Sequence, residues 1–356
     1  MSSTIEARST RAPGAGALLR SEILRARSRR SLRWMSLLAV LAVLGVCALM
    51  WFSTGRVTQT ELDAAASSFL AEQQMYYEQC IADPTLTAEQ VDEFCYQPTA
   101  QEAAQNALWN LDRRPFDQDG FDGLLHFAGG IGALVCLLLA ATTGGADWGA
   151  RTMGLVLSWE PRRTRVFLVR LLVVVVLALL VEGLLLVIAL GLGSLIADAH
   201  ALDPAALSQL QLAEGPTPAD LGDATELALR WLPLAALAAA GSFAVAMLTR
   251  STGWAIGASI GFVAVVESVV QGVWAWGSQW LVQTNIAAWL SGGITWVVDR
   301  NAAQQGYGLV GPGGGENTVP PGSILISDTR GLATLAALVV VAGLLSWTTF
   351  VRRDVE

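Results

Sequence analysis

The chain contains no lysine; all 22 of its basic residues are arginine. A P-loop cradles nucleotide phosphates with a Gly-Lys-Ser/Thr step, so this chain carries none. Any ATP hydrolysis linked to it belongs to another subunit, and no lysine Schiff base can form. Histidine is scarce too, with only His126 and His200. Charged residues make up 15% of the 356 positions, against about 25% in soluble domains. Hydrophobic residues reach 53% and mean hydropathy is +0.48. That balance points to a membrane protein that crosses the bilayer repeatedly. The lipid bilayer is its first expected partner, and no nucleic-acid partner is expected.

A bilayer core about 30 Å thick needs roughly 20 apolar helical residues. Six segments qualify: 34–53, 124–143, 167–196, 228–248, 253–272 and 331–350. The expected fold is all-α: a polytopic protein with six transmembrane helices and a small helical extracytoplasmic cap. The short link Thr249-Arg250-Ser251-Thr252 makes the fourth and fifth spans a hairpin. The third run exceeds the length of one span, so a tilt or a projection beyond the membrane is expected.

Arginine placement sets the orientation. Sixteen of the 22 Arg lie in 1–33, in 144–166 with Arg170 just beyond, at Arg250, and in the 351–356 tail, beside six acids. The opposite loops, 54–123, 197–227 and 273–330, hold five Arg and 22 acids, and the sixth remaining Arg, Arg230, lies at the start of the fourth span beside them. Both termini are therefore expected in the cytoplasm, with the plasma membrane as location. The long Arg-rich lead and full-length first apolar run are not those of a cleavable signal peptide. Residues 20–33, RSEILRARSRRSLR, read as a basic amphipathic helix along the inner leaflet, its Arg heads near anionic lipid. A plain topogenic charge cluster is the compatible alternative.

The first outer loop, 54–123, has helix-friendly polar stretches at 59–80, 87–95 and 99–111. Thr87-Ala-Glu-Gln90 and Thr99-Ala-Gln-Glu102 look like capped helix starts. Cys80 and Cys95 are the only cysteines on this oxidising face, and a disulfide between them tying two short helices is expected; two reduced thiols are the alternative. Cys47 and Cys136 lie in spans and read as small packing residues. The loop 197–227 is acidic and contains proline. Five of the 13 Trp fall within 273–297, which reads as short helices in or on the outer leaflet. GPGGGENTVPPG, 311–322, reads as a turn-rich loop.

Several motifs fall to blander readings. Gly257-Ala-Ser259-Ile-Gly261 fits G-x-S-x-G, but it lies mid-span and no His follows it, so small-residue helix packing is the better reading. Asp117-Gln-Asp119-Gly-Phe-Asp122 lacks the closing Glu of a calcium loop. One His, His126, beside one Asp is no metal site. Glu182 and Glu267 are the two acids inside spans, where a carboxylate costs several kcal/mol (about 2.5–3.5 for Asp on an insertion scale) unless paired or neutralised. For Glu182 a pathway role and a protonated carboxyl bonded to a neighbouring helix stay equally open. Glu267 reads as a structural or gating hydrogen bond, with Gln279, Gln283 or Asn285 as partner.

Residues 145–170 read GADWGARTMGLVLSWEPRRTRVFLVR. This segment resembles the permease subunits of ABC-2-type ABC exporters, especially their actinobacterial branch. Their loop after the second span runs G-x-E-W/Y-x-x-G-T-M-x-x-L-L-x-W-E-P-R-R-x-R-V-x-x-x-K. Gly145, Trp148, Thr152, Met153, Trp159, Glu160, Pro161, Arg162, Arg163, Arg165 and Val166 match. Asp147 stands for Glu, Arg151 for Gly and Arg170 for the closing Lys. The Phe350-Val-Arg-Arg-Asp-Val355 ending is similar to the family's as well. The resemblance implies an export permease that performs no chemistry itself. It would pair with a second permease subunit and bind a cytoplasmic ABC ATPase holding ATP and Mg, with no cofactor in this chain. Asp147, Trp148, Thr152, Trp159, Glu160, Pro161, Arg162, Arg163 and Arg165 would form the ATPase-coupling segment. The alternative is a six-span sensor or assembly protein that binds partners through its outer cap.

Overall fold

The computed structural model describes residues 15–84, 86, 91, 94–97, 99, 102, 103, 106, 111, 113–201, 218–274, 276–297 and 323–352. The chain is an all-α polytopic protein with six helices long and apolar enough to cross a membrane. They are α2 (Arg30–Ser53), α4 (Gln118–Gly149), α6 (Arg163–Ala199), α7 (Leu221–Thr249), the run α8 (Thr252–Gly261) to α9 (Glu267–Val273), and α11 (Asp328–Arg352). Each outruns the apolar segment that marks it in the sequence. Helical hydrogen bonds close within the segment and do not stop where the hydrocarbon does. A π-helical stretch, Phe262–Val266, joins α8 to α9.

The remaining elements are α1 (Ala15–Ser28), α3 (Gln59–Ile81), α5 (Met153–Trp159), a 3-10 turn at Gly277–Trp280, α10 (Val282–Leu290), and two strands, β1 (Ile294–Val297) and β2 (Ser323–Ile326). The strands pair antiparallel, with Ile294 opposite Ile326 and Val297 opposite Ser323. This corrects the all-helical reading of 273–297. Residues 277–290 are helical, but Ile-Thr-Trp-Val is a β-branched and aromatic tetrapeptide suited to a pleated surface. Gly292 (φ +72°) and Gly293 (φ +120°) turn the chain into the strand, in a backbone region that costs glycine no steric clash. The expected loop at 311–322, the Thr87–Gln90 helix start, and Arg353, Asp354 and Val355 of the tail lie outside the described residues.

Two compact units divide the chain. One comprises residues 1–40, 129–185 and 229–356. Its core joins Cys136 and Leu139 of α4, Met153 of α5, Phe167 and Val174 of α6, Phe243 of α7 and Phe350 of α11. Phe167 packs on Phe243 and Phe350, with ring centroids 5.5 and 6.2 Å apart. Ser242 donates to the Leu137 carbonyl at 2.8 Å, joining α7 to α4. Beside this core, α10 packs on α11. Gly331 is the closest approach there, since a Cβ on it would lie 2.7 Å from the Asn285 carbonyl.

The other unit comprises residues 41–128 and 186–228. Phe121, Leu124 and Leu125 of α4 are buried in it, and Phe121 lies where a Cβ at Gly193 of α6 would collide. His200 Nδ1 bonds to the Thr54 hydroxyl at 2.7 Å, and its ring lies 4.7 Å from that of Trp51. The Cys80–Cys95 disulfide is present. It ties Cys80, in the last turn of α3, to Cys95, and α3 is a helix of 23 residues rather than a short one. Thr58 and Glu61 form a reciprocal capping box at the start of α3. Thr99 and Glu102 repeat the arrangement: each backbone N–H donates to the other's side chain, at 2.8 and 3.3 Å.

Candidate functional site

The segment between the second and third spans holds little irregular chain. Helix α4 ends in a Schellman motif: Thr152 N–H donates to the Asp147 carbonyl at 2.9 Å and Arg151 N–H to that of Trp148 at 3.1 Å. Such a motif needs a left-handed residue at its turn, and Arg151 supplies it with φ +55°. Glycine takes that conformation without a Cβ clash. The Arg that stands where the exporter pattern has Gly therefore occupies the position where a side chain is most strained. Helix α5 follows, seven residues long. It ends because the residue before a proline is pushed out of the helical region: Glu160, before Pro161, has φ −129° and ψ 95°.

Beneath this turn sits a buried ion cluster. Arg170 of α6, 1% exposed, donates from Nε to Glu22 of α1 at 3.2 Å and from Nη2 to Asp147 of α4 at 2.5 Å. Arg25 reaches both acids at 3.3 Å. Arg29 reaches Asp147 at 3.5 Å and the Thr142 carbonyl at 2.7 Å. Burial lowers the Arg29 guanidinium from its ordinary pKa, opposed by the charge of Asp147. Burying such charges is costly unless each is paired; here three guanidiniums surround two carboxylates and lock α1, α4 and α6 together. Helix α1 is thus docked on protein through its Glu22 and Leu18 face. This corrects the reading of 20–33 as one continuous helix, while Arg20, Arg30 and Arg33 of that segment stay exposed. The helix stops before Arg29, and Arg25 and Arg29 bind acids of the same chain.

The family-like residues divide into two groups. Asp147, Glu160, Arg163, Arg165 and Trp148 make contacts within the chain. Glu160 is 1% exposed and accepts from Arg165 Nη1 at 3.3 Å. Arg163 donates to the carbonyls of Phe350 and Val351 at 3.5 and 3.2 Å, capping the end of α11. Trp148 stacks under the guanidinium of Arg250 at 4.5 Å and meets the Phe350 ring edge-on. Thr152 is half-buried in the Schellman turn. In contrast, Trp159 is 77% exposed, and Pro161 and Arg162 are exposed beside it. A cleft of ≈ 520 Å³ opens between α1 and α5, lined by Leu18, Glu22, Leu155, Val156 and Trp159 among others.

The two intramembrane acids are both fully buried and differ in everything else. Glu267 accepts the backbone N–H groups of Val282 at 2.6 Å and Gln283 at 3.0 Å. It closes the start of α10, where unpaired N–H groups and the helix dipole favour a carboxylate. The donors are backbone N–H groups, one of them that of Gln283, rather than the side chains of Gln279, Gln283 or Asn285. Among the described residues, Glu182 has no hydrogen-bond partner on either carboxylate oxygen. Of the two readings left open for it, the bond to a neighbouring helix is not made among the described residues, and Glu182 lies against Gly132 of α4, where an added Cβ would collide with it.

The discarded motifs also resolve. Asp117 accepts the Gly120 N–H at 2.9 Å and so caps α4. Gly257 and Gly261 have nothing within 4 Å of an added Cβ; the close packing expected of them is not made among the described residues. Among the described residues no cluster of three His, Cys, Asp or Glu suits a metal.

Sequence reasoning missed Glu22, Arg25 and Arg29 as part of this site. One signal was available: Glu22 is the lone acid in an otherwise basic approach segment, three residues before Arg25 and so on its helix face. No family model matches the chain, and no curated protein matches it.

Proposed function

We propose that this chain is the permease subunit of an ATP-driven exporter in the plasma membrane, with both termini cytoplasmic. A separate ATPase carrying ATP and Mg would dock on α5 and on the exposed Trp159–Arg162 turn. One observation carries most of the reading. A short helix between the second and third spans is pinned from below by buried charges, yet leaves a large aromatic, a proline and an arginine bare. Trp and Arg are the side chains most enriched at binding hot spots. A push on α5 would pass through the Glu22–Asp147–Arg170 cluster into α1, α4 and α6 together, because buried paired charges resist separation.

A second permease subunit completes the proposal. Only 11% of the apolar 18-residue stretch of the fifth span, Thr252–Val273, is buried within the chain, and its Gly253, Gly257 and Gly261 recur every four residues, the spacing of close helix association in membranes.

Co-purification tests the proposal. An ABC ATPase should accompany the full-length chain from its native membrane, and Trp159→Ala combined with Arg162→Glu should release it while the permease stays folded. If no ATPase accompanies the chain, the sensor or assembly reading takes its place.

A further inference from the structure

We propose that Glu182 is a proton-binding site: a buried carboxyl whose ligand is a proton taken up and given back as the helices around it move. This goes beyond the exporter reading and does not depend on it. Glu182 is 0% exposed, and neither oxygen has a hydrogen-bond partner among the described residues. An ionised carboxylate in an apolar medium without a partner carries a Born cost of tens of kcal/mol, and such a group neutralises instead (about tens of kcal/mol at ε near 4). The carboxyl is therefore protonated in this arrangement. Even neutral, an unpaired buried donor costs about 1–3 kcal/mol, so the arrangement is not one that packing alone would favour.

The site is built to hold this group. Gly132, a residue without a side chain, lies where any Cβ would strike Glu182 Oε2. Cys136, one turn further along α4, is the one other titratable group on that stretch, and its thiol donates to the Ala178 carbonyl at 3.4 Å rather than to Glu182. His126 lies six residues before Gly132, about 9 Å along the helix axis. On α6 no other ionisable residue occurs between Arg170 and Asp198, on α7 none from Trp231 to Thr249, and on α11 none from Gly331 to Val351. A metal cation needs several oxygen ligands, and here a single carboxyl faces apolar helix. A proton needs one. The site thus suits a proton and no larger cation.

A hydrophobic carbodiimide tests this on the purified full-length chain in detergent, without any ATPase. Dicyclohexylcarbodiimide reacts with a protonated carboxyl. The acid proton goes to one carbodiimide nitrogen, and the carboxylate oxygen bonds to the central carbon. The acyl group then migrates to nitrogen as a stable N-acylurea, and nothing leaves. Peptide mass spectrometry should find the adduct on Glu182 near about pH 6, and its yield should fall about tenfold per pH unit once the site gives up its proton. Glu267, with both oxygens held by N–H groups, serves as the internal comparison and should stay unmodified. A water-soluble carbodiimide should leave Glu182 untouched, and Glu182→Gln should show no adduct at this position. The proposal is overturned if Glu182 resists modification at about pH 6, if the water-soluble reagent labels it equally, or if the yield is unchanged up to about pH 10. The wild-type labelling decides the matter even if Glu182→Gln does not fold.

Discussion

Arg170 Nη2 donates to Asp147 Oδ2 at 2.5 Å, joining the first turns of α6 to the last turn of α4. The same guanidinium holds Glu22 of α1 at 3.2 Å. Two charged positions that read along the chain as surface features of one loop are thus the buried fastening of three helices.

Breaking a buried pair by removing one partner costs about 3–5 kcal/mol. Arg170→Ala should therefore lower thermal stability by about that amount, even though Arg25 and Arg29 remain. Glu22→Ala should chiefly release α1, seen as faster proteolysis at Arg20 or Arg25 with the spans intact. Equal protease resistance in the variant and the wild type would show that α1 is held some other way.

The left-handed conformation of Arg151 costs roughly 1–2 kcal/mol for a residue with a Cβ. Arg151→Gly should recover about 1 kcal/mol, less the entropy that glycine adds to the unfolded chain. The melting temperature in detergent reads this directly. A lower value in the variant would mean that the Arg side chain contributes more at the end of α4 than its backbone strain removes.

Trp159 and Glu160 are neighbours with opposite surroundings, 77% and 1% exposed. Trp159→Ala should weaken ATPase binding by at least about 2 kcal/mol, the size of an interface hot spot, with little change in stability. Glu160→Ala should lower stability first, by leaving Arg165 without its partner. If the two variants bind the ATPase and melt alike, the division into outward and inward residues fails.

Gly132 and Gly257 are both helical, and alanine is favoured over glycine there by about 0.8–1.0 kcal/mol. Gly257→Ala should be neutral to stabilising in the monomer, because nothing lies within 4 Å, and should weaken any dimer built on that face. Gly132→Ala should instead destabilise by about 1–3 kcal/mol, the cost of overpacking. Paired denaturation and size measurements separate the two.

The helix caps between the first and second spans carry a pH signature. Backbone N–H groups of Thr58 and Thr99 hold the Glu61 and Glu102 carboxyls below the ordinary 4.5. A depressed folded pKa adds stability above the unfolded value that is lost as pH falls through the folded one. Protection from hydrogen exchange at the first turn of α3, taken relative to the intrinsic rate, should therefore fall as pH drops below 4.5, and Thr58→Ala should remove most of that dependence. A wild-type exchange profile with the intrinsic pH slope alone would count against the cap.

Much of the architecture was legible in the sequence. Val173–Val176 and Leu184–Leu186 mark a span whatever they pack against, and Cys80 and Cys95 had no other cysteine to pair with in their loop. The β-ribbon was not legible, because Ile294–Val297 is too short for periodicity to separate strand from helix. Nor were the partners of Asp147 and Arg170, since Arg25 lies 122 residues from the one and Glu22 148 from the other along the chain.

The sequence by itself determined the six spans and the all-α class. A membrane helix satisfies its backbone hydrogen bonds within its own segment, so length and hydropathy suffice to define it. The tertiary structure alone decided which charges face inward. Glu182 and Glu267 are the same residue type at the same burial, yet one holds two N–H groups and the other none. A side chain's partners come from other segments, and only packing brings those segments to it.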